Sequence, residues 1–382
     1  LTSSSITGPF DYNGTIMVNK MTMNTKFHLD KIGANPQTLF SLSLLTESSQ
    51  SSLNVTDGQI NRLGDVTQTI TGPFSFSIPK LGSFLNEQFG YKNLPADLNR
   101  SIIGNGQFTF SNKESSLTEI AARFGEDNLE NALSANVSTI YPVTPNEQAK
   151  TQVVLRFVKL NLDTFKSYLP HLSDTKETLS KLRMIMPNAV DFLATANQIV
   201  LFDQPITNAT VSFEGSHNVF TVRDIKATLP DNTSLEASGE VCIDEKKPYA
   251  NLHTQIQTNA PDSTAMWLNL NLPRNFSLNA VQSLSASSDI KLGANDLNFE
   301  NININVNQGQ ITGSLALDLH ADNLKGFAAL NVKNLNLDTD YARNTPQQAR
   351  SFKQFLTEVK NYLGSTALLG NADLRLKVLA SD

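Results

Sequence analysis

The stretch "LNFENININVNQGQITGSLALDLH", Leu297 to His320, alternates apolar and polar residues almost without a break. Ile302, Ile304 and Val306 share one parity, and Asn301, Asn303, Asn305 and Asn307 take the other. After Gln308-Gly309 the pattern resumes as Ile311, Gly313, Leu315, Leu317 and Leu319. A period of two puts one set on a single face of a β-strand and the other set on the opposite face. No nucleophile elbow, metal-ligand pair or phosphate loop interrupts the run. The stretch therefore poses a physical question: what does its apolar face cover?

Working outward, the same alternation recurs at fixed offsets, the mark of a repeat architecture. Val153, Leu155 and Phe157 alternate, the register slips, and Leu160 and Leu162 follow. Ala328, Leu330 and Val332, then Leu335 and Leu337, repeat this at an offset of 175 (328 − 153), and both copies end in Leu-Asn-Leu-Asp-Thr. Phe220, Val222, Ile225, Ala227 and Leu229 match Leu297, Phe299, Ile302, Ile304 and Val306 at an offset of 77 (297 − 220). Asp224 and Asn301 fall at the same slip, where a β-bulge is expected.

Helices punctuate the strands. Thr345, Pro346 and Gly364 supply cap, first turn and stop for a helix over 346–363. A second is expected over 173–195, interrupted at Pro187, with short ones near 79–89 and 260–268. Asn13-Gly14, Asp57-Gly58 and Lys325-Gly326 read as turns, and Gly104-Asn105-Gly106 as a hairpin turn. The expected fold is mainly β with a few helices: an elongated, repeated antiparallel sheet curled into an open hydrophobic groove and punctuated by short helices. Two halves are expected, 1–200 and 201–382.

Composition narrows the function classes. Hydrophobic residues make up 40% and charged residues 17% of the 382, which suits a folded chain with an uncharged polar surface. A net charge of -6 with no basic stripe argues against nucleic acid. Cys242 is alone, so no disulfide forms within the chain. No apolar run reaches bilayer-spanning length, about 18 residues. The start at Leu1, without Met, reads as a processed or truncated product that has lost a signal or anchor. Seven Asn-x-Ser/Thr sequons are what a chain rich in these residues carries by chance.

The five histidines are scattered, with no second ligand at metal spacing, so neither metal nor cofactor is expected. Carboxylate pairs such as Asp224 with Asp231, or Asp338 with Asp340, lie at bends and helix starts, where Asp is ordinary. Nothing positive supports an enzyme, so the expectation is a non-enzymatic protein.

The segment from Pro205 to Tyr341 resembles the AsmA family of the Gram-negative envelope. The resemblance is carried by "FTVRDIKATLPDNTSLEASGEVCI", by "QTNAPDSTAMWLNLNLP" with its Ala-Pro-Asp helix and Leu-Pro, by "LNFENININVNQGQITGSLALDL", and by "LNVKNLNLDTDY". Phe74 to Phe165 looks like a more diverged copy. The resemblance implies a periplasmic protein held to the inner membrane by an N-terminal helix absent from this chain. It also implies a hydrophobic β-groove that binds or conducts phospholipids in support of outer-membrane assembly. It supplies no catalytic residues.

The groove candidates come from the alternation: Ile302, Ile304, Val306, Leu315, Leu317, Leu319, Val153, Leu155, Leu330 and Val332. The rival reading is a structural or adhesive β-repeat protein whose core is closed and whose polar face meets a protein or glycan. A polysaccharide-acting enzyme would need two carboxylates converging in a cleft.

Overall fold

A computed structural model describes residues 2–18, 21–33, 37–63, 65, 67–89, 100–125, 131–142, 144, 147–163, 189–216, 218–244, 247–267, 281–318, 325–334 and 373–381. The chain divides into two units, Leu1–Gln204 with Glu214–His217, and Pro205–Phe213 with Asn218–Asp382.

The first unit begins with β1 (Thr2–Ser3), β2 (Phe10–Val18), β3 (Met21–Leu29), β4 (Gln37–Thr46), β5 (Ser52–Asn61) and β6 (Thr69–Ile78). Helix α1 (Leu81–Phe89) follows, then β7 (Ile102–Ser111), β8 (Glu114–Phe124), β9 (Ala132–Ile140), β10 (Lys150–Asn161) and β11 (Ala189–Leu201). Each strand from β1 to β10 pairs antiparallel with the next, and β10 then pairs parallel with β11. The sheet is therefore mixed, and no pairing joins its first strands to its last among the described residues.

Strand β12 (Gln204–Ser216) contributes Pro205–Phe213 to the second unit. There follow β13 (Val219–Leu229), a 3-10 turn at Pro230–Asn232, β14 (Thr233–Cys242), β15 (Tyr249–Thr258) and α2 (Pro261–Trp267). The unit continues through β16 (Leu284–Leu292), β17 (Asp296–Val306), β18 (Gly309–Asp318), β19 (Lys325–Lys333) and β20 (Asp373–Ser381). Strands β13 to β19 form an antiparallel meander, and β19 pairs parallel with β20.

The two units repeat one plan. A short helix stands between β6 and β7 and again between β15 and β16, and each meander ends in a parallel pair. In the first unit the ladder of β8 with β9 slips between Leu117 and Ile120, and that with β7 between Asn105 and Gln107. In the second unit the matching slips, Phe299 to Ile302 and Ser287 to Asp289, lie at a common offset of 182 (299 − 117, 287 − 105). Glu119 and Asn301 occupy the bulges with φ of 52° and 51°. A bulge places two residues opposite one and adds local twist, so the bend is built into the same strand of both copies.

Within the second unit, β13 slips against β14 between Val222 and Ile225, at an offset of 77 (299 − 222) from the Phe299–Ile302 slip. The slip expected at Asp224 and Asn301 is thus observed. Gly239 and Gly313 sit beside these bulges with φ of +148° and +154°. A Cβ on either would run into a neighbouring strand's carbonyl oxygen, that of Asn251 or Ala329.

Helices α1 and α2 fall where helices are expected near 79–89 and 260–268. Thr233, Thr258 and Thr264 tie α2 to the strands: the Thr233 hydroxyl lies 2.8 Å from each of the other two, and all three are buried. The expected helix over 173–195 is corrected at its end. Residues 189–195 belong to β11, because Val190, Phe192, Ala194 and Ala196 alternate in register with β10. Residues 173–188, and the helix expected over 346–363, lie outside the described residues.

Four turn assignments are also corrected. Asn13-Gly14 lies inside β2, Asp57-Gly58 inside β5, Gly104-Asn105-Gly106 inside β7, and Lys325-Gly326 opens β19, paired with Asp318 and Leu317. The glycines of β5 and β7 make room for aromatic rings. A Cβ on Gly58 would collide with the Phe40 ring, and one on Gly104 or Gly106 would sit 2.7 Å from Phe76 or 2.9 Å from Phe74. Phenylalanine rings covering sheet glycines stabilise strands that glycine alone weakens.

Candidate functional site: an apolar face in each unit

The cross-strand register gathers the alternating apolar residues into rows. In the second unit one row crosses seven strands: Ala227, Leu235, Ile256, Ala286, Ile304, Ile311 and Val332. Ile302 stands opposite Gly313, which stands opposite Leu330, and Leu315 joins Phe299 to Ala328. Leu317 joins Leu297 to Gly326, and Val306 closes the face opposite Gly309. Seven candidates, Ile302, Ile304, Val306, Leu315, Leu317, Leu330 and Val332, therefore share one face of one unit. Leu319 lies outside the described residues.

Val153 and Leu155 belong to the first unit. Phe108, Leu117, Val137, Val153 and Phe192 form one row, and Ile120, Ala135, Leu155 and Ala194 the next. Sequence reasoning missed the aromatic part of this face. Phe74 and Phe108 lie 6.5 Å apart, Phe108 and Phe110 5.5 Å, and Phe27 and Phe40 6.3 Å. The alternations "FSFSI" and "FTF" carried that signal.

Burial separates these faces from an ordinary core. All nine described candidates are half-buried. Ala328 at 5% exposure and Phe108 at 7% are among the apolar side chains that are buried. Packed inner faces of sandwiches bring interior side chains to full burial at a sheet spacing of about 10 Å. Half-buried Ile and Leu in the middle of strands keep part of their surface uncovered.

The opposite face of the second unit is a polar lattice. Gln310 donates to the Asn303 carbonyl oxygen at 3.0 Å, and Asn305 donates to the Ser285 hydroxyl at 3.2 Å. Asp289 receives the Asn301 amide at 2.6 Å and lies 2.7 Å from His253 Nδ1. The Asn301 hydrogen bond first, then that of His253, holds the Asp289 carboxyl below its ordinary value. Lys291 pairs with Glu300 at 2.6 Å. This lattice makes the face polar, opposite the apolar rows.

Among the described residues, no three His, Cys, Asp or Glu side chains cluster closely enough to hold a metal ion. No described helix is long and apolar enough to cross a membrane. Comparisons with protein-family models, curated proteins and solved structures find no match to this chain.

Proposed function

We propose that the chain is a non-enzymatic, AsmA-like protein of the bacterial periplasm that binds or conducts phospholipids, its apolar β-faces holding their acyl chains. The observation that carries this reading is the half-burial of a continuous apolar row seven strands wide. Fully burying one Leu or Ile is worth roughly 1.5–3 kcal/mol, so a row of incompletely covered side chains retains part of that driving force. Acyl chains suit it because each buried methylene contributes about 0.8 kcal/mol without directional contacts.

The chemistry of the face supports a passive role. The rows are aliphatic and aromatic, while the paired charges Asp289, His253, Lys291 and Glu300 stand on the other side of the sheet. Native mass spectrometry of protein purified without detergent tests the reading. Adducts at phospholipid masses are the expected result. A lipid-free protein that takes up no phospholipid from vesicles would instead favour a structural β-repeat that meets a protein or glycan.

A further inference from the structure

Strand β2 is an edge of the first unit's sheet. Its inner side pairs with β3 from Phe10 to Val18 without a slip, and on its outer side β1 covers only Phe10 and Asp11. From Tyr12 to Val18 the outer edge has no strand partner among the described residues. An open row of N–H and C=O groups is a template for another strand, and such edges are ordinarily guarded by charge, proline or a bulge. The segment "YNGTIMV", Tyr12 to Val18, holds none of these. Strand β20, which pairs only with β19 among the described residues, carries Asp373, Arg375 and Lys377.

The unguarded edge is also apolar where it need not be. Met17 shares a parity with Asp11, Asn13 and Thr15 on the polar face, yet is 73% exposed. On the other face the apolar surface runs out to the edge, since Tyr12, Phe27, Leu42, Val55 and Phe74 form one row across β2 to β6. The Tyr12 hydroxyl donates to the Thr15 carbonyl oxygen at 3.2 Å, the one side-chain bond to the backbone of this stretch among the described residues.

The two ends of the opening select what fits. β1 blocks the edge before Tyr12 and the strand stops after Val18, so seven positions are open, with Thr15 at their centre. A second copy of β2, running antiparallel, fills all seven in a single register. Tyr12 then stands opposite Val18 of the second copy, Asn13 opposite Met17, Gly14 opposite Ile16, and Thr15 opposite Thr15. Parity is kept, so Gly14 and Ile16 meet on the apolar face while Asn13, Thr15 and Met17 meet on the polar one. No charges oppose one another, because the stretch has none.

We infer that β2 joins two copies of this chain by antiparallel β2–β2 pairing about a two-fold axis at Thr15, so that the apolar face continues from one copy into the other. The seam is roughly 24 Å long. It is small beside the interfaces of permanent dimers, so the association is weak and depends on concentration. The pairing stands independently of the acyl-chain reading, because backbone groups make it and the oligomeric state reports it.

The test is sedimentation velocity of the full chain over a concentration series, with circular dichroism confirming that each variant is folded. The unaltered protein is expected to pass from monomer to dimer. Thr15→Lys and Thr15→Asp each set like charges face to face and should weaken association at least about tenfold. An equimolar mixture of the two variants should regain it. Thr15→Cys gives a second readout: directly opposed residues lie about 4.5–5.5 Å apart, within disulfide reach. It should oxidise to a linked dimer, whereas Asn24→Cys, one strand inward and about 14 Å from its copy, should not. A chain that stays monomeric throughout overturns the inference. So does a dimer that the folded Thr15→Lys variant leaves intact, a mixture that regains nothing, or equal cross-linking at 15 and 24.

Discussion

Replacing Ile304 by Asp discriminates an open face from a closed core. Ile304 sits in the middle of β17, between Ala286 on β16 and Ile311 on β18, and is half-buried. On an open face the substitution forfeits about two-thirds of the transfer free energy of one Ile, roughly 1–2 kcal/mol. Exchanging a β-branched residue for Asp in a strand adds up to about 1 kcal/mol. The carboxylate remains hydrated, so the total comes to about 2 kcal/mol. In a closed core the same change would strand a charge without a partner and cost more than about 4 kcal/mol. Urea unfolding followed by circular dichroism supplies the stability difference, and native mass spectrometry supplies lipid occupancy. The expected outcome is a folded protein, destabilised by the smaller of these two amounts, with most of its phospholipid adducts gone. A loss as large as that of the closed core, or an unchanged lipid load in a folded variant, would refute the reasoning.

Other perturbations probe the frame that holds the face. Gly313→Ala presses a Cβ onto the Ala329 carbonyl at a φ of +154°, so stability should fall by about 2–3 kcal/mol in urea unfolding; an unchanged midpoint would mean the bend is not fixed there. Thr233→Val removes a fully buried hydroxyl from the Thr233–Thr258–Thr264 set and should cost about 1–2 kcal/mol in the same assay. Asp163 accepts the backbone N–H groups of Phe202 and Asp203 at 2.8 and 2.7 Å, and both of these residues have positive φ. Asp163→Ala should therefore speed amide exchange at those two positions ahead of the strands on either side. His28 lies 2.7 Å from Asp11 and 3.0 Å from Asp30, and its hydrogen bond to Asp11 first, then that to Asp30, raises its pKa above the ordinary 6.5. The stabilisation from its protonated form is complete below 6.5 and is lost as pH rises through the raised value; an NMR titration placing His28 at or below 6.5 would contradict the pairing.

Much of the fold was legible because a sheet converts sequence parity directly into geometry. The slip at Asp224 and Asn301 marked a bulge before any partner strand was known, since a bulge shifts an alternation by one residue and then lets it continue. The nine described groove candidates share apolar rows within their own units for the same reason. The repeat of the first unit in the second shows in matching letters only at Leu-Asn-Leu-Asp-Thr, 160–164 and 335–339; elsewhere it survives as the positions of bulges and helices, such as Glu119 with Asn301. Residues 189–195 misled because "AVDFLATA" meets helical spacing as well as strand alternation, and only the parallel partner β10 decides between them. Gly14, Gly58 and Gly104 read as turns because the aromatic rings that cover them cannot be foreseen without the register.

The central claim is that one parity of β17 faces lipid while the other does not. Photo-crosslinking residues placed singly at 304 and at 303, in protein expressed in a Gram-negative envelope, read this directly by the mass of the lipid adduct. The account predicts phospholipid adducts at 304 and none at 303. Adducts at neither position, or equal adducts at both, would contradict it.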